Sequence, residues 1–285
     1  MVLDLAGNYM YTIYNSASLG VTTFTPLYIE LQPASMTLNV DAYTLTITYS
    51  DLVDLTTIYP QAVTFQANNY ALNDAYTLSA LSLAIPSTGF AASIGIMIAT
   101  SDMNVLKSLY PLISDKTHSY VSYTSQLAVD WFGNSILAVN SSKAFQITTF
   151  VPNQTPPTVQ IYTLDMNAGI VNLTMSEAIK IGTFNLNDIN LQSLPSIRFA
   201  AFTNLVGAVV TSGTGSLSNG LQIQISNETL TYLKYYHIAN ALTSSYLTFT
   251  PGFISDFTGL SISPAYDSSV YGKSHCLVII VLNRL

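Results

Sequence analysis

Apolar and polar residues alternate along most of the chain, and the alternation is clearest in two stretches with one layout. The first is Met36-Thr-Leu-Asn-Val-Asp-Ala-Tyr-Thr-Leu-Thr-Ile-Thr-Tyr-Ser-Asp51, the second Tyr162-Thr-Leu-Asp-Met-Asn-Ala-Gly-Ile-Val-Asn-Leu-Thr-Met-Ser-Glu177. Successive side chains of a strand point to opposite faces, so a period of two marks a strand with one buried face. Each stretch holds two such runs around a short turn containing Asp or Asn, which predicts a β-hairpin. Val171, Leu173 and Met175 then face inward. Further runs at 43–50, 62–66, 91–99, 119–124, 136–139 and 144–150, with their later partners, predict a sandwich of about seven to nine strands in each copy. Two stretches break the rhythm. Thr100 to Tyr110 and Ser226 to Tyr236 open on hydroxyl or amide capping residues and an acid, then place apolar residues at helical spacing. They predict one short helix per copy.

The two hairpins lie about 126 residues apart, the distance from Tyr43 to Gly169 and from Ser50 to Ser176. Other markers keep that distance. Asp4-Leu-Ala-Gly-Asn8 returns as Asp130-Trp-Phe-Gly-Asn134 and as Asp256-Phe-Thr-Gly-Leu260. Val21-Thr22-Thr23-Phe24, before Thr25-Pro26, returns as Ile147-Thr-Thr-Phe150, and Tyr120-Val-Ser-Tyr-Thr124 as Tyr246-Leu-Thr-Phe-Thr250. The chain therefore divides into 1–26, the terminal strands of a preceding repeat; 27–152, a full repeat; and 153–285, a repeat with an altered last strand. That alteration is Cys276-Leu277-Val278-Ile279-Ile280-Val281-Leu282, apolar without alternation, the pattern of a strand buried on both faces.

Composition changes the picture in one respect. Only 8% of the residues are charged, against roughly a quarter in an average soluble domain. The polar faces of the strands are instead hydroxyl and amide faces, which can bond to water, sugar or a neighbouring chain. A net charge of -7 with eight scattered Lys and Arg excludes nucleic acid, since phosphate binding takes basic clusters. Mean hydropathy is +0.38, yet no apolar run approaches the roughly 20 residues of a spanning helix. No membrane span is expected, and the opening residues carry no signal-peptide pattern. One cysteine allows no intrachain disulfide.

Candidate chemistry is sparse. Asn-x-Ser/Thr sequons stand at Asn140, Asn153, Asn172 and Asn227 and make covalent glycans the first candidate partner, with Asn153 expected to be an exposed site in the Pro-rich linker between repeats. Asp4, Asp130 and Asp256 are weak calcium candidates, because calcium takes six to eight oxygens and each junction offers one Asp. The other reading is an Asp that accepts N–H bonds within its own turn while Gly supplies the positive φ. His118, His237 and His275 occupy no equivalent positions and keep no zinc spacing, and no Gly-x-Ser-x-Gly elbow occurs. Acids recur at Asp51/Glu177 and Asp102/Glu228, at strand ends and helix starts, where a carboxylate has a structural use. No enzyme and no cofactor are expected.

Leu164 to Glu177, Asp102 to Lys107, Asp130 to Asn134 and Phe150 to Pro152 resemble the tandem Ig-like β-sandwich repeats of large secreted surface proteins of algae, other protists and bacteria. The chain departs from that pattern at Leu260 and at Lys273-Ser-His-Cys276. The resemblance implies an all-β fold of tandem Ig-like β-sandwich domains, each with one short helix. It also implies an extracellular glycoprotein of the cell surface or of a filament such as a flagellar (mastigoneme-like) hair. The leading function is a structural subunit of a glycosylated fibre whose partners are copies of itself. A surface adhesin or carbohydrate-binding repeat is the alternative, and a secreted enzyme ranks third. For assembly, residues 1–26 present a strand pair without a body, and such an edge invites pairing with another sheet. Val21 to Phe24 of one subunit are expected to join the C-terminal repeat of the next near Cys276 to Val281. Otherwise the missing body lies upstream in a longer array.

Overall fold

The structure, a computed structural model, describes residues 3–25, 30–70, 75–196, 200–212, 219–265 and 277–280. The chain forms two compact units, Met1–Glu30 and Leu31–Leu285. The second unit contains β1 (Pro33–Asn39), β2 (Thr44–Asp54), β3 (Val63–Gln66), β4 (Ala75–Thr77), β5 (Leu83–Ile85), β6 (Phe90–Met97), α1 (Thr100–Ser108), β7 (Tyr120–Tyr123), β8 (Phe145–Gln146) and β9 (Thr149–Val151). It continues with β10 (Val159–Asp165), β11 (Ile170–Met175), β12 (Ile179–Lys180), β13 (Ile189–Gln192), β14 (Phe202–Asn204), β15 (Val209–Ser212), β16 (Gly220–Gln224), α2 (Asn227–Tyr235), β17 (Tyr246–Phe249), β18 (Ser255–Asp256) and β19 (Leu277–Ile280). The fold is all-β with two short helices.

The same sheet is built twice. One five-stranded sheet runs β5-β6-β2-β1-β9, the other β15-β16-β11-β10-β19, and in each the last strand joins in parallel. A second sheet faces each of them: β4-β3-β7-β8 in the first half and β14-β13-β17 in the second. The inward residues obey the alternation. Met36, Leu38, Leu45, Ile47, Ile94 and Ile96 meet Val63, Phe65, Val121 and Tyr123 in one core, and Tyr162, Leu164, Val171, Leu173 and Ile223 meet Ile189, Leu191 and Phe249 in the other. The halves 31–152 and 153–265 thus differ in core, while their contacts join them into one unit.

The register is finer than the sequence spacing. Hairpin turns, β3 with β13, and β7 with β17 lie 126 residues apart, whereas the helices begin at Thr100 and Asn227, 127 apart. One extra residue therefore enters the second copy before its helix and is removed after it. Asp102 consequently stands opposite Thr229, not Glu228, which corrects the pairing of those two acids. Lys107 stands opposite Lys234. The alternating run 136–139 is not a strand; only Val139 bridges, to Tyr123.

Asp102 explains why one helix start is buried. Its carboxylate, 1% exposed, accepts from the Tyr76 hydroxyl (2.8 Å), the Ser79 N–H and hydroxyl (both 3.0 Å) and the Ser82 hydroxyl (2.6 Å). Burial raises its pKa, but these donors outweigh burial and hold the carboxyl below its ordinary value. The neighbouring Tyr76 phenol is pushed up to about 12 by burial and by that bond.

Candidate functional site

The three Asp turns are built alike up to one ligand. In Asp4 to Asn8 and Asp130 to Asn134 the first carboxylate oxygen accepts two backbone N–H bonds and the second accepts the Asn Nδ2, at 2.9 and 3.0 Å. Gly7, Gly133 and Gly259 supply φ values of 84, 85 and 89°. At Asp256 the Asn is replaced by Leu260, and the second oxygen accepts from the Thr258 hydroxyl (2.6 Å) and from Asn153 Nδ2 (2.8 Å). Asn153 reaches across from the linker to complete the bonding of Asp256, which is fully buried at the start of its turn. Asp4 and Asp130 are thus occupied by their own loops and Asp256 by its loop together with Asn153, and among the described residues no group of three or more His, Cys, Asp or Glu is placed to hold a metal ion.

This geometry corrects the reading of Asn153 as an exposed sugar site, because the nitrogen that would carry the glycan is buried and already donates to Asp256. Asn140, Asn172 and Asn227 are exposed. Replacing Asn153 by Ala leaves Asp256 short of a partner in a dry site, and we expect a loss of about 1–3 kcal/mol on urea unfolding. Replacing Asn134 by Ala, in a more exposed turn, costs less than about 1 kcal/mol.

Between the two cores lies a junction made of polar side chains. Lys107, in the last turn of α1, donates to Glu177 at 2.6 Å, and both side chains are nearly inaccessible. The Lys107 Nζ also lies 5.0 Å from the ring centre of Tyr43. Asn104, three residues earlier on the same helix face, accepts the Ala178 N–H at 3.1 Å. Asp41, in the hairpin turn, accepts the N–H groups of Gln154 and Thr155 at 2.9 and 2.8 Å. The linker bonds, that of Gln154 first, hold its carboxyl below the ordinary range. The hairpin turn and helix end of the first half therefore grip the linker and the strand end of the second.

At the far end of the second half the equivalent positions are bare. Lys234 and Thr231 are exposed, and Tyr235 is 75% exposed beside Tyr232 and Tyr236. These three rings stack at tilted and edge angles with centres 4.4 and 4.8 Å apart and line a shallow groove with Glu228 and Thr231. Sequence reasoning passed over this cluster, although Tyr232-Leu-Lys-Tyr-Tyr236 at a helix end was a visible signal. At the opposite end of the first half, Asp51 and Leu52 occupy the places of Glu177 and Ala178. Leu52 is 39% exposed where Ala178 is fully buried.

The edge beside β10 is filled. Leu277–Ile280 pairs with Ile161 to Leu164 as Thr149–Val151 pairs with Thr37 to Asn39. The altered sequence at Cys276 to Val281 still supplies a strand in the usual place, and a neighbour's segment can enter there only by displacing it. Cys276 and Val281 themselves lie outside the described residues.

Val21 to Phe24, expected as a strand, is irregular: among the described residues its backbone groups join no sheet ladder. Met10, Ile13, Leu19, Val21 and Phe24 are at least 55% exposed, whereas Ile136 and Ile147 at equivalent positions are buried and Val139, Phe145 and Phe150 pack on the first core.

His118 Nδ1 lies 2.9 Å from Asp115 in a 3-10 turn that Asp115 caps. His237 has a positive φ of 53° just after α2. His275 lies outside the described residues.

No family model and no curated protein matches the sequence. Among solved structures, that of the N-terminal part of the bacterial S-layer protein SbsC is similar at 15% identity with a TM-score of 0.28. The match covers 70% of this chain and 45% of that one, so this chain spans less than half its length. At that score the two do not share a demonstrable fold. No described helix is long and apolar enough to cross a membrane.

Proposed function

We propose that this chain is a structural subunit of an extracellular, glycosylated fibre, made of tandem Ig-like repeats joined head to tail. The observation that carries this reading is the internal junction, where a buried Lys107–Glu177 pair and three further backbone contacts fix one sandwich against the next. A pair of sandwiches held this way transmits load along the chain, and the same residue types recur at its ends. It is a building contact, and the role it supports is mechanical.

Joining is completed by the first unit. Each large apolar side chain left in water forgoes about 1.5–3 kcal/mol. Five of them, Met10, Ile13, Leu19, Val21 and Phe24, together represent a driving force comparable to the stability of a domain, about 5–15 kcal/mol. In the fibre these residues enter the C-terminal sandwich of the next subunit by strand exchange, taking the place of β19. The incoming strand replaces the backbone bonds that β19 gives up, so the net gain is the burial of these five side chains less the apolar burial that the displaced strand gives up.

Sugar supplies hydration that so few charges cannot. Mass spectrometry of native material is expected to find glycan on at least one of Asn140, Asn172 and Asn227, with Asn153 bare; three bare exposed sequons contradict the extracellular reading. A carbohydrate-binding surface repeat is the second reading, favoured by the cluster Tyr232, Tyr235 and Tyr236, because aromatic faces stack on sugar rings. It predicts saturable binding of a free oligosaccharide by the monomer, which the fibre reading does not require.

A further inference from the structure

The junction inside the chain is a template for a contact between chains. α1 and α2 have the same length, and Lys is the eighth residue of both. In α1 that lysine is 4% exposed because the second sandwich covers it, with Asn104 and Ser108 half-buried on the same face. In α2 the corresponding Thr231, Lys234 and Tyr235 are exposed, and Lys234 makes no ion pair among the described residues. The receiving side shows the same contrast. Glu177 and Ala178 are covered, while Asp51 and Leu52 are partly open. Each half of the junction is thus present once, unused, at opposite ends of residues 31–265.

We infer that the α2 end of one copy docks on the Asp51–Leu52 end of another, with Lys234 pairing to the second copy's Asp51 as Lys107 pairs to Glu177. This rests on the head-to-tail reading above and names its contact. The substitutions between the two junctions run in the direction a contact between separate chains needs. A linker no longer holds the partners together, so association must overcome lost rotational and translational freedom. Leu52 stands where Ala178 does, and Tyr232, Tyr235 and Tyr236 stand where Val105, Ser108 and Leu109 do. The unlinked junction therefore carries larger aromatic and aliphatic groups around the same charge pair. Such a contact joins two different surfaces and propagates as an open chain of subunits unless its rotation closes a ring.

Charge reversal on the full-length chain tests it, read by sedimentation velocity over a range of protein concentrations. K234D and D51K each weaken self-association by at least ~30-fold, the scale of an unmatched charge at a buried pair. An equimolar mixture of K234D and D51K assembles again, because every junction in an alternating chain then matches one lysine with one aspartate. Both side chains are solvent-exposed enough that the variants keep the wild-type circular dichroism and melting temperature. If wild-type and K234D chains assemble alike, the contact named here is wrong while head-to-tail assembly stands. If the wild-type chain stays monomeric at all concentrations, the head-to-tail reading falls, and this contact with it.

Discussion

Replacing Lys107 by Met lowers the stability of the paired sandwiches by about 3–5 kcal/mol, because it leaves the Glu177 carboxylate buried with no counter-charge. Replacing both, as Lys107→Met with Glu177→Leu, recovers most of that loss, since an apolar pair of similar volume has no ions to desolvate. Urea unfolding of the two variants and the wild type measures both differences. The same logic fixes a pH dependence. Burial raises the Glu177 pKa more than Lys107 lowers it, so the folded chain holds that proton more tightly than the unfolded one. The contribution of Glu177 is fully present below its unfolded pKa and is lost as pH rises through the raised folded value. Asp102, whose pKa is lowered, runs the other way: its contribution is present above its unfolded pKa and is lost as pH falls through the folded one. Glu177→Gln removes the first slope and leaves the second.

Deleting residues 1–26 yields a folded chain that does not polymerise. The described residues of both cores lie between Leu31 and Ile262, so the deletion removes none of them, and the melting temperature stays that of the full chain. What disappears is the exposed set Met10, Ile13, Leu19, Val21 and Phe24. Light scattering at rising concentration separates the outcomes. A truncated chain that still forms polymers places the joining strand elsewhere.

Much of the fold was legible because one periodicity governs each element. The alternation through Leu45, Ile47 and Tyr49 and through Val171, Leu173 and Met175 sets the hairpins and their inner faces, and those side chains are buried as read. The helices were legible from Ser226 and from the acid in each first turn. The one-residue shift before α2 was not, since Asp102 and Glu228 sit at the naive spacing and only strand pairing shows that a residue has been inserted.

The junction was hidden for a different reason. Lys107 and Glu177 are 70 residues apart, and each has a commonplace local use, a basic residue in a helix's last turn and an acid at a strand end. Nothing in a linear pattern says that two such charges meet in the dark. Asn153 was misread likewise: its sequon and proline neighbours describe a linker, whereas its bond to Asp256 spans 103 positions. The repeat itself offered the missing clue, because the loss of Asn at Leu260 leaves an Asp turn needing a donor from elsewhere.

Electron microscopy of the assembled full-length chain decides whether the chain builds a fibre by repeating its own internal junction. Repetition of the junction gives unbranched filaments of one polarity, in which density repeats at the subunit spacing and, more weakly modulated, at half of it, because junctions within and between subunits are alike. Isolated particles, or symmetric pairs joined end to like end, contradict it.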